Sequence, residues 1–137
     1  MKNQIENEVL ALLAAARAVR EFAHAPYSQY KVGAALLDEH GRIHVGCNVE
    51  NSAYPQGVCA EAGAISAMVA AGGTRIAAAA VVGEGAQPCT PCGGCRQKLR
   101  EFARGDMPVI VSDMQQVRGQ FTLGELMPYG FGPEHLE

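Results

Sequence analysis

The stretch GVCAEAGAISAMVAAGG, residues 57–73, sets one thiol, Cys59, two positions ahead of one carboxylate, Glu61, at the head of an alanine-rich run closed by Gly72 and Gly73. Alanine favours helix and paired glycines end it, so the run predicts a helix from Cys59 to Ala71 whose first turn carries both groups. Upstream, KVGAALLDEHGRIHVGCNVE (31–50) reads as two strands joined at DEHGR, a hairpin, and NSAYPQGV (51–58) as loop. Downstream, RIAAAAVVGEG (75–85) is an almost unbroken apolar strand with a turn beyond it. GGCRQKLREFARGD (93–106) then makes a second helix with a glycine stop, and cysteines again sit at the helix start.

From Asn3 to His24, Ile5, Val9, Leu12, Leu13, Ala16, Val19 and Phe22 recur every three to four residues, one face of an amphipathic helix. Pro26 and the small polar residues of APYSQY (25–30) stop it. MPVIVSD (107–113) is a further strand, QVRGQFTL (116–123) a weaker one, and GELMPYGFGPEHLE (124–137) a helical turn with a Gly/Pro-rich tail. The order α, β, β, α, β, α, β, β implies an α/β fold, a three-layer αβα sandwich around a five-stranded mixed sheet. Residues 1–137 form a single domain in this reading, with the later strands parallel. Sites in such sheets lie beyond the carboxyl ends of strands, where helix N-termini converge, and both cysteine groups fall at such junctions.

Net charge is −3 and the isoelectric point near 5.8, with basic residues dispersed. That excludes the clustered positive charge a nucleic-acid polymer or an anionic membrane attracts. The longest early apolar run, VLALLAAARAV (9–19), is broken by Arg17 and too short to span a bilayer, and MKNQIENE lacks the basic start of a secretory signal. The expected location is the cytoplasm, a reducing compartment in which five cysteines point to metal or reactive thiols rather than disulfides.

A catalytic zinc takes three protein ligands and leaves its fourth corner to water. Cys59 offers one thiolate, and the pair Cys92 and Cys95 two more. CTPCGGC (89–95) also contains the competing pair Cys89 and Cys92; the glycines before the RQKLREF helix favour the later pair. Cys89 as a fourth ligand would instead close the site and make the zinc structural, and the triple-cysteine run is also compatible with an iron–sulfur ligand set. Helix N-termini favour negative sulfur, which offsets part of the charge of three thiolates. Glu61 can face the metal position without ligating it and carry protons, its alternative being a mere helix-dipole charge. Zinc deaminases of nucleobases use this arrangement, with H-x-E or its cysteine form followed by P-C-x-x-C; CAE and PCGGC satisfy it. Asn48 and Glu50, two apart on a strand, would share a face and could meet adjacent sugar hydroxyls. Cys47 reads as a packed small residue, and His24, His40, His44 and His135 as surface or packing groups.

PYSQYKVGAALL, GCNVENSAYPQGVCAE, PCGGCRQ and FGPEHL are similar, in order and spacing, to segments of the small homotetrameric cytidine deaminases, and the resemblance covers nearly the whole chain. It implies Cys59, Cys92 and Cys95 as zinc ligands and Glu61 as the acid and base. It also implies Asn48 and Glu50 on the ribose hydroxyls and the Ala60 backbone N–H on the base carbonyl. Tyr30 stands where the family usually has a phenylalanine against the pyrimidine, and its added hydroxyl needs a partner. Phe131 corresponds to an aromatic that reaches a neighbouring subunit's site. The implied reaction is zinc-dependent hydrolytic deamination of cytidine and 2'-deoxycytidine, in pyrimidine salvage, by a homotetramer acting on free nucleosides. A related deaminase of modified cytidines or cytosine-containing antibiotics, and a structural zinc module, are the alternatives. One departure is Ala62, where much of the family places an arginine against the thiolates; helix N-termini or Arg96 would then supply the offset.

Overall fold

The computed structural model describes residues 2–137. Its elements are α1 (Lys2–Arg20), β1 (Val32–Asp38), β2 (Ile43–Cys47), α2 (Ala60–Ala70), β3 (Ile76–Gly83), α3 (Gly93–Phe102), β4 (Pro108–Ser112), β5 (Val117–Thr122) and α4 (Leu123–Leu126). Short 3-10 turns add Tyr54–Gln56 and Pro133–Leu136. The five strands lie in the order β2-β1-β3-β4-β5.

Side chains alternate between the two faces of a strand, so each central strand feeds two cores. On one face Leu12, Leu13 and Ala16 of α1 pack on Ala35, Ala80 and Ile110. On the other, Ala64 and Met68 of α2 and Leu99 of α3 pack on Leu36, Ala79 and Val109. Three layers result, as the sequence implies, and burial on both faces is why β3 reads as a nearly continuous apolar run.

Two details differ from the sequence reading. Among the pairings between the five strands of the described residues only β3 with β4 is parallel. The α2 crossover places β3 beside β1, antiparallel to it, and β5 returns from β4 through the tight turn 113–116. The first helix also ends at Arg20 rather than His24. Phe22 and Ala23 donate to Val19 and Arg20 three residues back, and His24 then leaves the helix to bridge Val49. Phe22 therefore faces solvent at 80% exposure instead of joining the docking face.

The hairpin turn is tied by the buried carboxylate of Asp38, which accepts from His40 N, Arg42 N and Arg42 Nε and pairs with His44 Nε2 at 2.8 Å. Burial pushes its pKa up, but His44, Arg42 and His40 outweigh that and hold it well below the usual carboxylate range. This contribution to stability is present above the unfolded pKa and is lost as pH falls through the lower folded value.

A bare backbone position sets the seat of α2. A Cβ at Gly46 in β2 would lie 2.3 Å from both Ala60 O and Ala64 N, so α2 rests directly on the strand. At Gly63, on the facing side, an added Cβ meets its nearest neighbour, the Gly46 Cα, at 3.6 Å, an ordinary contact. Gly46→Ala is therefore expected to destabilise the fold by about 1–3 kcal/mol, the scale of core overpacking. Gly63→Ala should be neutral or stabilising by up to about 1 kcal/mol through helix propensity. Urea unfolding of the two variants checks the contrast.

Candidate active site

Two helices begin at the same end of the sheet, each on a cysteine. Cys59 is the N-cap of α2 and Cys92 the N-cap of α3, both extended in backbone (ψ 156° and 167°), so each helix starts one residue later than its thiol. Cys95 follows in the first turn of α3 and is fully buried. The three sulfurs lie within 4.8 Å of one another, with Cys59 Sγ and Cys92 Sγ 3.9 Å apart. Tetrahedral zinc, with bonds of about 2.3 Å to sulfur, spaces its sulfurs by roughly 3.8 Å, so the donor set fits that ion. Cys89 is not in this group, which leaves the cluster at three ligands, the number of an open catalytic site. Cys47, partly buried at the end of β2, also stands apart from it.

The thiols differ in acidity. The Cys95 backbone N–H beside the Cys92 sulfur holds Cys92 below the usual thiol range, as expected at a helix start. Burial, followed by neighbouring negative charge, pushes Cys59 and Cys95 upward. Cys59 and Cys95 therefore favour their protonated forms, and a metal held by thiolates there would displace those protons.

A cavity of about 300 Å³ opens beside the cluster, lined by Tyr30, Val32, Asn48, Ala60, Glu61, Cys89 and Thr90 together with Cys59 and Cys92. Glu61, on the first turn of α2, is 5% exposed, and burial raises its pKa, only partly countered by its own backbone N–H and by Lys98. A carboxyl so placed holds and returns a proton nearer neutrality than an exposed glutamate. Ala60 is the first residue of α2, so its N–H has no acceptor within the helix and is free for a ligand. Arg96 is not the cation the missing arginine at 62 calls for. Its Nε donates to Pro91 O at 2.7 Å, and its other nitrogens donate to Leu126 O and Thr90 Oγ1, so it braces the loop before α3.

β2 ends at Cys47, so Asn48 and Glu50 lie just beyond the strand rather than on it. Their spacing survives because His24 N donates to Asn48 O and Glu50 N donates to His24 O, keeping the segment extended. Asn48 Oδ1 accepts from Val32 N and its Nδ2 donates to Tyr30 O, both at 2.8 Å. Glu50 accepts from the backbone of Tyr27 and Ser28 and from the Ser28 hydroxyl, which is the main cause of its lowered pKa. It lines a separate cleft of about 400 Å³ with Tyr27 and Tyr54, so Asn48 faces the cavity that holds Glu61 and Glu50 does not. The sequence reading did not find the Ser28 clamp; its signal is a hydroxyl two residues before Tyr30, in a turn where Gln29 takes a positive φ of 62°.

Tyr30 lines the cavity, and its hydroxyl and the Cys89 sulfur face the same space beside Gly83. Phe131 lies outside the cavity of its own chain, 53% exposed and stacked on His135 with ring centres 4.7 Å apart. No helix among the described residues is long and apolar enough to cross a membrane.

Comparison with known proteins agrees with this geometry. The family model for the cytidine and deoxycytidylate deaminase zinc-binding region matches residues 7–111. A cytidine deaminase of Sporosarcina psychrophila is 43% identical over 129 residues, covering 94% of this chain and 95% of that one. One from Mycobacterium tuberculosis is 40% identical over 114 residues, 83% of this chain and 82% of that one. The crystal structure of a cytidine deaminase from Burkholderia pseudomallei superposes with a TM-score of 0.82 at 46% identity, covering 88% of this chain and 97% of that one. With three thiols gathered at two helix starts beside a buried glutamate, the chain belongs to the cytidine and deoxycytidylate deaminase zinc-binding family.

Proposed function

We propose that this protein is a zinc-dependent hydrolase that deaminates cytidine and 2'-deoxycytidine to uridine and 2'-deoxyuridine, releasing ammonia. The observation that carries the reading is the trio of sulfurs within 4.8 Å, open to a cavity that also holds the buried Glu61. Cys59, Cys92 and Cys95 would hold the zinc, which when bound supplies the Lewis acidity that activates water toward the carbon bearing the amine.

Glu61 carries the protons. Its carboxyl takes the two protons of the attacking water in turn, giving one to the ring nitrogen next to that carbon and the other to the amine, which departs as ammonia. The Ala60 N–H fixes the base by its carbonyl, and the Tyr30 ring lies against its face. Asn48 and Glu50 take the sugar. Each is held by backbone partners yet retains capacity, since an amide has a second hydrogen and second lone pairs and a carboxylate offers about four acceptor sites.

The remaining elements fit an assembly and a location. Phe131, Tyr129 and Leu136 present apolar surface from the tail, and Val69 does so from α2. A homotetramer in which Phe131 completes a neighbour's cavity accounts for that surface. With dispersed basic residues the substrate is a free nucleoside rather than a polymer. Five thiols without a disulfide suit the cytoplasm, and the place in metabolism is pyrimidine salvage.

Purified protein incubated with cytidine should lose the aminopyrimidine absorbance, and prolonged treatment with a zinc chelator should abolish that loss until zinc is restored. Persistence of turnover without zinc would overturn the reading.

Glu61→Gln should reduce turnover by about 10²–10⁴-fold, the range of general acid–base catalysis. The same substitution should raise the melting temperature of the metal-free protein at pH 7.5. A raised folded pKa makes the acid most favourable to folding below the ordinary glutamate range, and that contribution is lost as pH rises through the folded value. The stability gap should therefore close in acid, which thermal melts across pH will read.

Sedimentation analysis is expected to give a tetramer. Phe131→Ala should raise KM while leaving the zinc content unchanged.

A further inference from the structure

Cys89 belongs neither to the sulfur trio nor to the apolar cores, yet it lines the cavity that holds Glu61. Its surroundings explain why. Gly83 ends β3 and pairs with Val32, itself a cavity residue. A Cβ at Gly83 would lie 2.8 Å from Cys89 Sγ and 2.9 Å from the Tyr30 hydroxyl, so both atoms converge on the space the missing side chain leaves. The two groups are chemically matched, since a phenol is a good donor and a thiol sulfur a weak acceptor. Burial, then the Cys89 contact, pushes Tyr30 up to about 12, and burial pushes the Cys89 thiol up as well, so both stay neutral across the physiological range.

We propose that Cys89 is a positioning residue for nucleoside binding: its sulfur holds the Tyr30 hydroxyl, and the pair, admitted by the bare backbone of Gly83, forms one wall of the substrate cavity. This rests on the deaminase reading above. Tyr30 is already anchored at its backbone, where its N–H donates to Ser28 Oγ at 3.0 Å and its carbonyl accepts from Asn48 Nδ2 at 2.8 Å. The ring, 42% of the residue being exposed, is fixed only if its far end is also held. A ring ordered before the ligand arrives lowers the entropic cost of binding. Loss of the Cys89 contact therefore acts on binding, with the proton chemistry at Glu61 unaltered.

The test is steady-state kinetics with metal analysis on the full-length zinc protein. Cys89→Ala should raise KM for cytidine about three- to tenfold, the scale of one neutral hydrogen bond, with kcat changed by less than about twofold. Zinc should remain at one per chain. Cys89→Ser, which keeps an acceptor, should return KM toward the wild-type value. In a Tyr30→Phe background, where the hydroxyl is gone, Cys89→Ala should add nothing further. Zinc loss in Cys89→Ala, a fall in kcat with KM unchanged, or independent effects of the two substitutions would each overturn the inference. Wild-type protein inert toward cytidine would refute the parent reading instead. The pairing is then read by alkylation of Cys89 with N-ethylmaleimide, which should proceed faster in Tyr30→Phe; an unchanged rate overturns it.

Discussion

Two helices that begin at one edge of the sheet, each with a cysteine as its cap, impose the geometry on which the site depends. The N-caps of α2 and α3 are 33 residues apart in sequence, and their sulfurs stand 3.9 Å apart because both helices are pressed on the same face of the sheet. For α2 that pressing is direct backbone contact, permitted because β2 carries no side chain at Gly46. Any thickening of that contact lifts Cys59 and Glu61 together, since both ride on the first turn. Burial, and after it neighbouring negative charge, disfavours ionisation of Cys59 and Cys95, a state that a dication would relieve.

Much of this was legible in the sequence, and the reason is local chemistry. The three clustered thiols and the buried Glu61 sit within a few residues of helix starts, so CAE and PCGGC can be read without knowing the fold. Helix and strand types followed equally from periodicity. The less legible features depend on partners distant along the chain. The Ser28 clamp on Glu50 spans 22 residues, and the Arg96 brace to Leu126 spans 30. The exposed Phe22 was misread because its spacing fits the helix face, whereas the chain had already turned toward Val49. Among the later strands β4 runs parallel to β3 as the helical crossover implies, whereas β5 does not, because it returns from β4 through a tight turn instead of a helix.

Cys89 illustrates a different limit. In sequence it competes with Cys95 as the partner of Cys92, and spacing alone cannot separate the two. The separation appears only when β3 brings Gly83 beneath it and β1 brings Tyr30 across, sending one sulfur to the cavity wall while its neighbours converge on an ion site. Identical residue types six positions apart thus reach different environments through turn geometry.

The outward side of α3 has its own attachment. Gln97 donates to the carbonyl of Phe131, and Arg100 pairs with Glu134, so the same ten-residue rod that carries two thiols at one end also grips the chain terminus along its flank. Terminus and thiols are thereby attached to one helix, the physical link that any coupling between them would use. Coupling of that kind is reciprocal by thermodynamic necessity: whatever factor immobilising the terminus adds to ion retention, ion retention must add to immobilising the terminus.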